Sequence, residues 1–113
     1  MSLLHPTLGE MFDRVVALTV KVGVCEDEGK DASRFREEIH EICSGISQDK
    51  KDLCAKFEKE LIDIHVEMFD MIACAEKGTE VSSVHLQKLN RRRVAIREEI
   101  NKESGEYKGP ERI

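Results

Sequence analysis

Between residues 54 and 75 the apolar side chains recur in steps of three and four: Cys54, Phe57, Leu61, Ile64, Met68, Met71 and Ala75. That period lays them on one face of an α-helix and conflicts with the two-residue alternation of a strand. Ile62, Val66, Phe69, Ile72 and Ala73 widen the arc beyond half of the circumference. A helix apolar over so much of its surface must be covered on more than one side. The pattern opens near Lys50 and closes at Glu76, with Gly78 as a natural C-terminal stop. This third helix is expected to be the longest and the central one, or to lie in a subunit interface.

Three further segments carry the same period. The first follows Pro6, with Thr7 as N-cap, and presents Leu8, Met11, Val15, Leu18, Val22 and Cys25 on one face, flanked by Val16, Val20 and Val24. A polar break, Glu26 to Lys30, separates it from a short helix capped by Asp31 or Ser33. The face of that second helix is Phe35, Ile39, Ile42 and Ile46, and Ser44 to Asp49 mark its end. The fourth helix runs from Val81 or Ser83 to Glu103, with Leu86, Leu89, Ile96 and Ile100 inward. Arg93 falls where that stripe expects an apolar residue. Gly109-Pro110 bars further helix, and residues 1–6 and 105–113 are expected to be flexible ends.

The reading is all-α: a single domain over residues 1–113, built as a four-helix bundle with a long central third helix. With only 4% aromatic residues and a very apolar third helix, the chain is expected to gain from burying that face in a homodimer. The formal net charge of -5 argues against binding nucleic acid by phosphate neutralisation. No apolar run has the length of a membrane span, and the first residues lack the pattern of a secretory signal. The expected location is the cytoplasm, with no membrane and no nucleic-acid partner. Cys25, Cys43, Cys54 and Cys74 form no CxxC pair and read as reduced thiols in small core positions.

The tetrapeptide Glu-Met-Phe-Asp occurs twice, at residues 10–13 and 67–70. In both copies Met lies on the apolar stripe, Phe flanks it, and the acids point away. Packing explains both copies without a site. Glu60, Asp63, Glu67 and Asp70 continue as an acidic stripe along the third helix, facing the basic run Asn90-Arg91-Arg92-Arg93 on the fourth. A buried Arg93 needs a carboxylate, and Asp70 is the expected one. His40 and Cys43 stand at i and i+3, but no second pair has the spacing of a structural zinc site. His65, in the apolar arc, reads as a boundary histidine; it is also the one candidate general base.

Glu38 and Glu41 form an ExxE pair on the second helix, and Glu60 and Asp63 an ExxD pair on the third. Carboxylates at i and i+3 share a helical face, and two such pairs face to face suit Mg²⁺. The spacing resembles the MazG-type all-α nucleoside-triphosphate pyrophosphohydrolases. That resemblance implies Glu38, Glu41, Glu60 and Asp63 as Mg²⁺ ligands and spans about residues 35 to 93. The bland alternative is a solvated acidic face, since 23 of the 113 residues are Asp or Glu.

A second likeness covers nearly the whole chain. Leu8-Gly9-Glu10-Met11-Phe12-Asp13-Arg14-Val15, with Leu18, Val20 and Lys21, resembles the opening of a family of short bacterial helical proteins of unknown function. Asn90-Arg91-Arg92-Arg93-Val94-Ala95-Ile96-Arg97, with Ile100, Asn101 and Gly105, is similar to that family's closing helix. Between them, His65 and Met68-Phe69 depart from the family's Asn and Leu-Trp, and Gly109-Pro110-Glu111-Arg112 departs at the end. Members tend to be encoded beside glycosyltransferase and surface-polysaccharide genes. The resemblance implies a non-enzymatic protein acting by protein interaction around glycan assembly, with no cofactor. It singles out Glu10, Asp13, Arg14, Lys21, Asn90, Arg92, Arg93 and Asn101 as binding positions, in a mixed-charge groove between the first and fourth helices.

Overall fold

The computed structural model describes residues 6–105. The expected flexible ends lie outside the described residues, apart from Pro6 and Gly105, and so does the Gly109-Pro110 break. Among the described residues there are four α-helices and no strand: α1 Leu8–Asp27, α2 Ser33–Ser44, α3 Gln48–Glu76 and α4 Ser83–Ser104. The all-α architecture expected from the periodicity is the one observed.

Local chemistry sets the boundaries. The Thr7 hydroxyl accepts from the Glu10 N–H at 3.2 Å, and the Glu10 carboxylate accepts from the Thr7 N–H at 2.9 Å. This reciprocal capping box satisfies two of the amide groups left over at the start of α1. Ser47 and Ser82 cap α3 and α4. α2 takes neither expected residue as its N-cap. Ala32 stands there, and Asp31, one residue earlier, accepts from the Ser33 N–H and hydroxyl, both at 3.0 Å. α3 closes where the sequence expects it: Gly78 adopts φ +88, and the Thr79 N–H reaches back to the Cys74 carbonyl at 2.9 Å.

The helices alternate in direction. Arg14 pairs with Glu38 and Glu26 with Arg36, so α2 runs antiparallel to α1. Lys56 pairs with Glu103, Glu60 with Arg92 and Glu67 with His85, so α4 runs antiparallel to α3. The core joins Leu8 and Val16 of α1, Ile46, then Cys54, Leu61 and Ile64 of α3, and Ile96 and Ile100 of α4. Each of the larger side chains stabilises the fold by about 2 kcal/mol through burial.

α3 is the longest helix, as expected, but the helix that touches all three others is α1. α3 packs on α1 and α4, and α2 approaches the backbone of α1 alone. The physical reason lies in the two sets of apolar residues on α1. Val16, beside the main stripe, joins the common core, while Leu18, on the stripe, is buried apart from it. The wide apolar arc of α3 is instead left partly uncovered, with Val66 42% and Ile72 50% exposed.

None of the four cysteines forms a disulfide. Cys54 is a core residue as expected, and Cys25 and Cys43 are half-buried. Cys74 departs from the expectation: it is exposed, because the last turns of α3 extend past the core.

Candidate functional site

The most buried polar groups in the fold come from three helices. Asp13 of α1 and His65 of α3 meet with Oδ1 and Nε2 2.6 Å apart, their side chains 8% and 10% exposed. The other carboxylate oxygen of Asp13 accepts from Arg97 at 3.3 Å and lies 3.7 Å from Arg93. Arg93 and Arg97 are one turn apart on α4, so both guanidinium groups converge on one carboxylate. With neutral histidine the cluster carries a net charge of about +1. The Nε of Arg93 is buried without a hydrogen-bond partner among the described residues.

One turn below, α1 and α4 come into backbone contact. The Gly9 N–H donates to Asn101 Oδ1 at 2.7 Å. A Cβ built on Gly9 would overlap the Arg97 carbonyl oxygen and stand 2.8 Å from Asn101 Oδ1. Only glycine permits this approach, and the approach sets the depth at which Asp13 sits between α3 and α4.

Arg93 therefore has a carboxylate partner, but it is Asp13 and not the expected Asp70. Register decides this. Glu60 is level with Arg92 and Glu67 with His85, which leaves Asp70 about three turns from Arg93. The two Glu-Met-Phe-Asp copies diverge in the same way. Glu10 belongs to a helix cap and Asp13 to the buried cluster, whereas Glu67 pairs with His85 and Asp70 is exposed.

The other positions singled out by resemblance are dispersed. Arg14 faces α2, where its Nε donates to Glu38 at 2.8 Å. That hydrogen bond holds the Glu38 carboxyl below, and the Arg14 guanidinium above, its ordinary range. Lys21 lies over the Phe35 ring at 5.7 Å. Asn90 is exposed, and Arg92 pairs with Glu60. Of the set, Asp13 and Arg93 meet directly, and Asn101 accepts from the Gly9 N–H one turn away. His65 and Arg97 complete the cluster and were not among the positions singled out. The available signal for His65 was a polar residue inside an apolar arc.

The four carboxylates of the ExxE and ExxD pairs are not brought together. The backbones of α2 and α3 do not come close to each other. Glu38 pairs with Arg14, Glu60 with Arg92 and Asp63 with Lys59, while Glu41 is exposed. Among the described residues no group of three or more His, Cys, Asp or Glu side chains is placed to hold a metal ion.

A different feature is open to solvent. The C-terminal half of α1 and the middle of α3 form a groove of about 360 Å³, walled by Val20, Val24, Ile62, Val66 and Phe69. Gly23 widens it, since a Cβ there would meet nothing within 4 Å. Asp27 stands on the α1 wall and Asp70 on the α3 wall. Neither is in an ion pair among the described residues, whereas Glu26, Glu38, Glu60, Glu67 and Glu103 each pair with a neighbouring helix. No helix among the described residues is long and apolar enough to cross a membrane. Comparison with family models, with curated proteins and with solved structures finds no match for this chain.

Proposed function

We propose that this chain is a small helical interaction module that acts by docking other proteins along the α1–α3 groove. The observation that carries the reading is the groove itself: apolar walls, Val66 among them 42% exposed, and two carboxylates in no ion pair among the described residues. An open apolar groove between two helices is a shape that accepts the apolar side chains of a partner helix. The buried Asp13 cluster does not line the groove and reads as an internal lock between helices. Hydrolysis at Glu38, Glu41, Glu60 and Asp63 is not proposed, because those side chains stand in separate environments on helices α2 and α3. The setting implied by the resemblance to the bacterial helical family is surface-glycan assembly, with the chain acting in the cytoplasm.

A photo-crosslinking residue placed at Val66, and separately at exposed Glu99 on the outside of α4, tests the reading in cells producing the chain. Protein adducts at Val66 well above those at Glu99, identified by mass spectrometry, are the expected result. Equal or absent labelling at the two positions would remove it.

A further inference from the structure

We infer that the occupant of the α1–α3 groove is a cationic amphipathic helix of another protein, its apolar face seated between Asp27 and Asp70. The inference rests on the docking reading and adds the chemistry of the partner. Three observations point the same way.

The first is the apolar floor. Val20, Val24, Ile62, Val66 and Phe69 offer aliphatic and aromatic walls along two helices, the kind of groove that takes helix anchors spaced i, i+3 or i+4, and i+7. The second is the rim. Asp27 lines the groove from α1 and Asp70 from α3, and neither is in an ion pair among the described residues. By contrast Glu26, Glu38, Glu60, Glu67 and Glu103 all have basic partners on neighbouring helices. The third is the end of α1. Helix C-termini favour Lys and Arg, yet the last turn of α1 has no basic residue and ends on Asp27. The cations nearest this end are engaged elsewhere, Arg36 with Glu26 and Lys30 with Glu28, and Asp27 is left in no ion pair among the described residues.

The same charges disfavour a second copy of this chain as the occupant. A two-fold pairing through the groove offers Asp27 and Asp70 no Lys or Arg from the groove lining of the other copy. Carboxylates left uncompensated in an interface select against the pairing.

The test uses the full chain and three probes. The first is a helical peptide of about four turns with leucines at i, i+4 and i+7 and flanking lysines. The second has glutamates in place of the lysines. The third is a lysine peptide without leucines. Binding is read by amide shifts in the nuclear magnetic resonance spectrum and by anisotropy. The expected result is that only the first probe moves Val20, Val24, Val66 and Phe69, and that D27N/D70N weakens it about fivefold. Equal binding by the glutamate probe at these residues would overturn the cationic partner and leave the docking reading intact. Equal binding by the leucine-free probe would reduce the effect to bare charge and overturn the helix. Concentration-dependent shifts of the same residues without any probe would make a second copy the occupant. Absence of binding by every probe would also overturn the inference, and the Val66 crosslink would then decide the docking reading separately.

Discussion

Asp13 and His65, 52 positions apart in sequence, are joined by a 2.6 Å contact between Oδ1 and Nε2 at the meeting point of α1, α3 and α4. The carboxylate also faces two arginines of α4, so one side chain of α1 fixes its position against α3 and α4. Burying such a group is costly, and its net contribution shows when one partner is removed. Replacing Asp13 by alanine leaves two half-buried guanidinium groups without their carboxylate. A loss of about 3 kcal/mol is expected, with a smaller loss for Asp13→Asn, which keeps an acceptor oxygen. Urea unfolding followed by far-ultraviolet circular dichroism measures both. A change under about 0.5 kcal/mol in the alanine variant would show that the cluster holds nothing together.

The two glycines of α1 separate close approach from open space. Gly9→Ala forces a methyl group against the α4 backbone and is expected to destabilise by about 2 kcal/mol, despite alanine's better helix propensity. Gly23→Ala meets nothing and is expected to stabilise by about 0.5 to 1 kcal/mol. Thermal unfolding of the pair should therefore move in opposite directions. If both variants rise in Tm, α1 and α4 are not in contact at Gly9.

The Arg14–Glu38 pair gives a pH dependence of known sign. Glu38 is held below its ordinary value chiefly by the Arg14 hydrogen bond. A carboxylate depressed in the folded state contributes stability above its unfolded pKa and loses it as pH falls through the folded one. The attachment of α2 to α1 should therefore weaken on acidification from the ordinary carboxylate range downward. The measurement is the carboxyl carbon titration of Glu38, with a midpoint in the natural chain below that in Arg14→Gln. Coincident midpoints would mean that the pair does not form in solution.

Thiol exposure is the simplest check on the packing of α3. Cys74 is exposed, Cys25 and Cys43 are half-buried, and Cys54 is 1% exposed. A neutral thiol reagent should modify Cys74 first, and Cys54 only at the rate of unfolding or local opening. Early modification of Cys54, located by mass spectrometry, would place α3 in a different rotation.

The sequence by itself determined the helices of this protein, because their causes are local. The three- and four-residue apolar period marks all four, Thr7 announces the start of α1, and Gly78 closes α3. The anomaly of Arg93 was also legible, since a cation on an apolar stripe demands a carboxylate. Which carboxylate it meets was not, because helix register depends on contacts between residues far apart in sequence. The antiparallel pairing of α3 with α4 carries Asp70 away from Arg93, and the close approach at Gly9 brings Asp13 to it. The same tertiary choice placed α1, not α3, against every other helix and left the outer arc of α3 open as a groove. Periodicity measures how much surface a helix needs to cover; only the packed arrangement assigns the neighbour that covers it.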